Sequence, residues 1–97
     1  MQNEEIKHKL QKGSAPFILD VREEVEYMLG HIPGAISVPL SEFERHLVEL
    51  QREQTYYVIC RTGNRSNAAC LYMQVKGFTD VYNVIPGMSE WDGDIEE

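Results

Sequence analysis

The chain has 97 residues and a formal net charge of −7, which predicts one domain, residues 1–97, with no room for a separate cofactor domain. The acidic balance excludes nucleic acid and an anionic membrane as natural partners, because both require a basic footprint. No apolar stretch reaches the ~18 residues of a membrane span, and the charged segment Met1 to Leu10 lacks a signal-peptide core, so a cytoplasmic protein is expected.

In chain order, Glu4 to Gln11 has a helical pattern, with Ile6 and Leu10 four residues apart. Phe17 to Val21 is a short apolar run suited to a buried strand. Glu23 to Leu29 forms an acidic helix stopped by Gly30. Ala35 to Val38 is a second brief strand, closed by Pro39. Ser41 followed by Glu44 has the capping-box spacing, and the helix expected after it runs to about Gln51, with Phe43, Leu47 and Leu50 on one face. Tyr56 to Ile59 is the strongest strand pattern and leads straight into Cys60. Ser66 to Lys76 is helical up to Gly77, and Val81 to Ile85 is the last strand. Strands alternating with helices imply a mainly parallel sheet covered on both faces, in which ligands bind at the carboxyl ends of strands. Cys60 lies at such an end.

The run Cys60-Arg61-Thr62-Gly63-Asn64-Arg65-Ser66 places a thiol between a strand and a helix start. Consecutive backbone N–H groups can converge on the sulfur there, and the helix N-terminus adds about half a positive charge. With Arg61 and Arg65 in the same loop, the thiol is expected to ionise below its ordinary range. Gly63 permits a left-handed turn and Asn64 tolerates one. The loop therefore forms a small anion cradle with a nucleophile at its base. Arg61 is expected to face the mouth and meet an anionic substrate. Arg65 either contacts substrate or braces the loop, and the bracing role, with Asp20 as carboxylate partner, is preferred. Cys70, among Ala68, Ala69 and Leu71, is expected to pack rather than react. Two cysteines without a ligand cluster give neither a zinc site nor, in the expected compartment, a structural disulfide. His31 is read as a turn residue bonded to neighbouring backbone, and Trp91 as an anchor for the C-terminal segment.

The cysteine loop resembles the active-site loop of rhodanese domains, in which a cysteine opens a six-residue cradle. Three other stretches resemble the same family in its order. They are Leu19-Asp20-Val21-Arg22 with Glu26-Tyr27, then Gly30-His31-Ile32-Pro33-Gly34-Ala35 with Val38-Pro39, and finally Gly77-Phe78 with Val81, Asn83, Gly87 and Trp91. The resemblance spans about Phe17 to Trp91. It departs at Pro86-Gly87, where the family commonly has two glycines, and before Phe17, where no first strand is evident.

The resemblance implies an α/β rhodanese fold with about five strands and helices on both faces. It implies a sulfurtransferase in which the Cys60 thiolate takes the outer sulfur of a small anionic donor such as thiosulfate. The persulfide then passes that sulfur to a thiol or to cyanide, and no cofactor or metal is needed. Arg61, Thr62, Gly63, Asn64 and Arg65 would bind the substrate, with Asp20 and Ser66 supporting the loop. A protein persulfide is an alternative partner. Two other functions compete. A cysteine-dependent phosphatase or arsenate reductase also uses a cysteine loop at a helix start, but with one more residue before the arginine. A non-catalytic rhodanese-like regulatory module would typically lack the cysteine.

Overall fold

A computed structural model describes all residues, 1–97. Helix α1, Asn3–Gln11, opens the chain and is followed by strand β1, Ile18–Asp20. Helix α2 is Glu24–Leu29, strand β2 Ile36–Ser37 and helix α3 Phe43–Leu47. Strand β3, Tyr56–Ile59, leads to helix α4, Asn64–Val75, and strand β4, Val81–Asn83, comes last. Single 3-10 turns occupy Leu40–Glu42 and Met88–Glu90.

The four strands form one parallel sheet in the order β2-β1-β3-β4. The fifth strand expected at the edge is reduced to a single parallel bridge between Gln2 and Ile85. Alternation along the strands divides the core in two, because successive side chains point to opposite faces. Leu19, Val21, Val58 and Cys60 pack with Phe43 and Leu47 of α3 and with Ala69, Cys70 and Met73 of α4. Ile18, Ile59 and Val84 pack on the other face with Ile6 of α1 and Ile32. Helices thus cover both faces, and the parallel ladder needs this cover because its strands are buried on both sides.

Two helices differ from expectation in their boundaries. Ser41 does not cap a helix. Its hydroxyl donates to Glu23 Oε1 at 2.8 Å, and the chain makes a 3-10 turn before a short α3 that ends at Leu47. The reciprocal carboxylate contact forms instead at the first two helices, where Glu5 accepts from the Gln2 N–H and Glu26 from the Glu23 N–H, both at 3.0 Å. Helix α4 begins at Asn64, inside the expected loop. Gly63 takes φ 97° at the junction, a left-handed conformation that costs glycine nothing. A β-carbon there would also meet the Ile85 side chain at 3.0 Å.

No helix is long and apolar enough to cross a membrane.

Candidate active site

Strand β3 ends at Ile59, whose carbonyl accepts from the Val21 N–H at 3.0 Å. Cys60 is the next residue and only 1% exposed. Its carbonyl accepts from Met88 N–H, and that of Arg61 from Ser89 N–H, each at 2.9 Å. The segment around Gly87 thereby lies against the back of the cysteine loop. A β-carbon on Gly87 would stand 2.5 Å from the Cys60 carbonyl oxygen, so the close approach requires glycine. Asn3 of α1 clamps the same peptide from the far side, its amide donating to the Gly87 carbonyl at 2.9 Å and accepting from the Gly87 N–H at 3.1 Å.

Three groups converge on the sulfur. The N–H of Gly63 donates to Sγ at 3.2 Å and that of Ser66 at 3.3 Å, and the Ser66 hydroxyl lies 3.2 Å away. Burial pushes the Cys60 thiol up, but the hydrogen bonds of Ser66, Gly63 and Thr62 outweigh it and hold the thiol below its ordinary value. Hydrogen bonds to the charged form favour that form, so the loop is built to stabilise negative charge on sulfur.

Asn83, at the end of β4, holds the cradle from beneath. Its amide N–H donates to the Gly63 carbonyl at 3.1 Å and its oxygen accepts from the Ser66 hydroxyl at 2.5 Å. The same Gly63 carbonyl also accepts the first helical bond of α4, from Asn67 N–H.

The two arginines have different surroundings. Arg65 braces the loop, but its partner is Glu26 of α2 and not Asp20. Two bonds, at 2.7 and 3.0 Å, join the guanidinium to both carboxylate oxygens. Arg65 is the first cause of the depressed Glu26 carboxyl, which is lowered to about 2. Asp20 is fully buried and engaged by Arg22, whose guanidinium and backbone N–H both bond it, the shortest contact being 2.8 Å. The Arg22 side chain also donates to the Gly30 carbonyl at 2.7 Å, so Asp20 organises the α2–β2 connection rather than the cysteine loop. The physical reason is proximity. The strand ends at Asp20 and the chain bends at Arg22, whose N–H already bonds the carboxylate at 3.1 Å, so its guanidinium reaches the buried carboxylate first.

Arg61 is exposed and takes part in none of the ion pairs of the chain. With Leu29, Met88, Ser89 and Ile95 it lines an open hollow beside the loop. Thr62 and Asn64 are exposed on the loop itself, whereas Gly63 and Ser66 are buried.

His31 sits apart from the sulfur chemistry. Its ring stacks on Tyr27 at 3.7 Å, and Nδ1 donates to the Tyr27 carbonyl at 2.8 Å. Trp91 packs against the Ile6 side of the core, and its indole N–H donates to the Asp94 carbonyl at 3.0 Å. Cys70 packs in the same core cluster as Cys60, and the two are not joined by a disulfide.

Asn3, Glu26 and Asn83 carry contacts that the sequence reading did not assign. Glu26 and Asn83 had a usable signal, since both lie in stretches that carry the family resemblance, whereas Asn3 lies before them.

Comparison with known proteins agrees with this geometry. A family model for the rhodanese-like domain matches residues 2–94. YrkF of Bacillus subtilis (strain 168), which bears the name of a sulfur carrier protein, is 43% identical over 93 residues, covering 96% of this chain and 50% of that protein. YtwF of the same organism, which bears the name of a sulfurtransferase, is 34% identical over 89 residues, covering 92% of this chain and 85% of that protein. The crystal structure of a rhodanese-like domain protein from Staphylococcus aureus superposes with a TM-score of 0.91 at 31% identity, covering 99% of this chain and 94% of that one. The chain thus spans half the length of the first of these relatives and most of the other two. With a buried cysteine cradled between a parallel strand and a helix start, and a family match over nearly its whole length, the chain belongs to the rhodanese-like family.

Proposed function

We propose that this chain is a sulfurtransferase that carries sulfane sulfur as a persulfide on Cys60. The observation that carries the reading is the convergence of the Gly63 N–H, the Ser66 N–H and the Ser66 hydroxyl on one buried sulfur, at 3.2 to 3.3 Å. The Cys60 thiolate attacks the outer sulfur of a donor such as thiosulfate. A new S–S bond forms, the donor S–S bond breaks, and sulfite leaves with the electron pair. The product is Cys60 bearing an anionic outer sulfur. An acceptor thiolate, or cyanide, then attacks that outer sulfur, and the Cys60 thiolate departs as it was. The cycle needs neither an external oxidant nor a proton acceptor at the sulfur, because the thiolate is already favoured by its surroundings.

Arg61, engaged in no ion pair, supplies the positive charge that draws an anionic donor to the mouth of an otherwise acidic protein. Thr62 and Asn64 present the outer surface of the cradle, and Gly63 and Ser66 its inner N–H groups. Arg65 shapes the loop through Glu26. A protein persulfide or protein thiol enters the same chemistry as an alternative donor or acceptor, consistent with a relative named as a sulfur carrier.

The same geometry disfavours a phosphatase. A phosphoryl group brings three equatorial oxygens that each need a donor, and the arginine closing this loop is already held on both oxygens of Glu26. Incubation with thiosulfate followed by intact-mass measurement should show a gain of one sulfur atom, removed by cyanide or by a thiol. Turnover of an aryl phosphate through Cys60, without any gain of sulfur mass, would reverse the assignment.

A further inference from the structure

The Ser66 hydroxyl has two claimants and one proton. Asn83 cannot turn to relieve the conflict. Its amide N–H is bonded to the Gly63 carbonyl, and exchanging nitrogen for oxygen would set two carbonyl oxygens against each other. Its oxygen therefore faces the Ser66 hydroxyl at 2.5 Å, a contact between two oxygens that requires the hydroxyl proton to lie between them. On its other side the same hydroxyl lies 3.2 Å from Cys60 Sγ.

While Cys60 is a thiol, every group is satisfied: S–H donates to Ser66 and Ser66 donates to Asn83. When Cys60 is a thiolate the chain of bonds breaks. Either Sγ faces a lone pair of the serine oxygen, or the hydroxyl turns to the sulfur and leaves the Asn83 oxygen opposed by another oxygen. In a persulfide Sγ carries neither a proton nor a formal charge, so the hydroxyl can stay with Asn83 without leaving a charged sulfur unserved.

We propose that Asn83 is a positioning residue that draws the Ser66 hydroxyl proton away from Cys60, so that the cradle stabilises the resting thiolate less fully than its donors allow. The sulfur keeps its two backbone N–H donors and remains anionic enough to react. It also retains nucleophilicity, which for thiolates falls as the thiol becomes more acidic. The proposal deepens the reading of Cys60 as a sulfur carrier and rests on it for its catalytic consequence only. The proton competition is testable without any sulfur donor.

The Met1 ammonium donates to the Asn83 backbone carbonyl at 3.0 Å, a bond that a side-chain substitution leaves in place, and the charged groups nearer the sulfur are held independently of Asn83. On α4, Arg65 is paired with Glu26 of α2. Beyond the end of β1, Arg22 is paired with Asp20. Arg61 lies on the loop and is exposed. The β4 segment brings only the Asn83 amide to the serine.

The test is the pH dependence of iodoacetamide alkylation at Cys60, read by peptide mass, in the native chain and in Asn83→Leu. Leucine keeps the volume and removes the competing acceptor. The proposal expects the inflection to move to lower pH, because the hydroxyl becomes free to serve the sulfur, and to rise again in the N83L/S66A double variant. The intrinsic thiolate rate constant should fall about threefold for each unit by which the inflection drops. If Asn83 only anchors the loop, N83L loosens the cradle and the inflection rises or stays in place, which overturns the proposal. If N83L does not fold, Ser66→Ala decides. An inflection within about half a unit of the native chain supports the proposal, because a proton given to Asn83 was not serving the sulfur. A larger rise overturns it. Failure of the native chain to accept sulfur would leave this result intact and would count against the sulfurtransferase reading alone.

Discussion

The two cysteines lie ten positions apart, both buried, one at the foot of α4 and one in its middle. Cys60 is 1% exposed and Cys70 is 6% exposed, yet their acidities move in opposite directions. Burial pushes the Cys70 thiol up to about 11, and no hydrogen bond meets its sulfur. Burial acts on Cys60 in the same sense but is outweighed by the donors at the helix start. The contrast teaches that burial alone does not set the acidity of a thiol in this fold. The N–H groups at a helix N-terminus lower it, and the residue before the first turn is placed to reach them.

The largest expected effect breaks the comparison at Cys60, the proposed sulfur carrier. Cys60→Ala should reduce sulfur transfer by well over tenfold, more than about 1.4 kcal/mol in barrier, while a circular dichroism spectrum shows the fold retained. Turnover within tenfold of the native chain would mean that the cradle holds the wrong nucleophile.

The second prediction concerns alkylation. Across neutral pH, Cys60 should react with an inflection below the ~8.5 of a free cysteine, and Cys70 should stay unmodified in the folded protein. Equal labelling of the two residues would show that exposure, not the cradle, governs reactivity.

A smaller effect comes from the brace. The Glu26 carboxyl is held at about 2 by the Arg65 guanidinium, below the ~4.3 of an unfolded chain. Its contribution to stability is therefore complete above the unfolded value and is lost as pH falls from there toward 2. Because the pair is partly exposed, solvent screening keeps that contribution to about 1 kcal/mol or less. Glu26→Gln should lower the melting temperature at pH 7 slightly and flatten its fall between pH 5 and 2. An acid limb as steep as in the native chain would assign the acid sensitivity elsewhere.

The smallest effect falls on the inert member. Cys70→Ala removes one heavy atom from the core, at a cost on the order of 1 kcal/mol, and should leave sulfur transfer nearly unchanged. Loss of transfer in a folded variant would make Cys70 a resolving thiol.

Much of this was legible because it depends on short stretches of chain. Strand β3 and the loop after it follow from four consecutive β-forming residues running into a cysteine, and Gly63 marks the left-handed turn that lets α4 begin. The alternation of strand and helix implied a parallel sheet, and the structure has one. The misreadings are of another kind. Ser41 has the spacing of a cap, but Pro39 and the 3-10 turn that follows present its hydroxyl to Glu23 instead. The last strand ends at Asn83 rather than Ile85, because the Val84 N–H makes the final bond to β3 and Ile85 turns to pair with the N-terminus.

The sequence by itself determined where the candidate nucleophile stands, the loop around it and the class of sheet that delivers it. Each depends on neighbouring residues whose backbone preferences act locally. Only the tertiary structure decided the partners. Arg65 meets Glu26 across 39 positions, Asn83 meets Ser66 across 17, and Asn3 clamps Gly87 across 84. A long polar side chain can reach many acceptors in an extended sequence. Which one it takes is set by where packing of the two cores places the elements, and by which carboxylate, like Asp20, has already been claimed by a nearer cation.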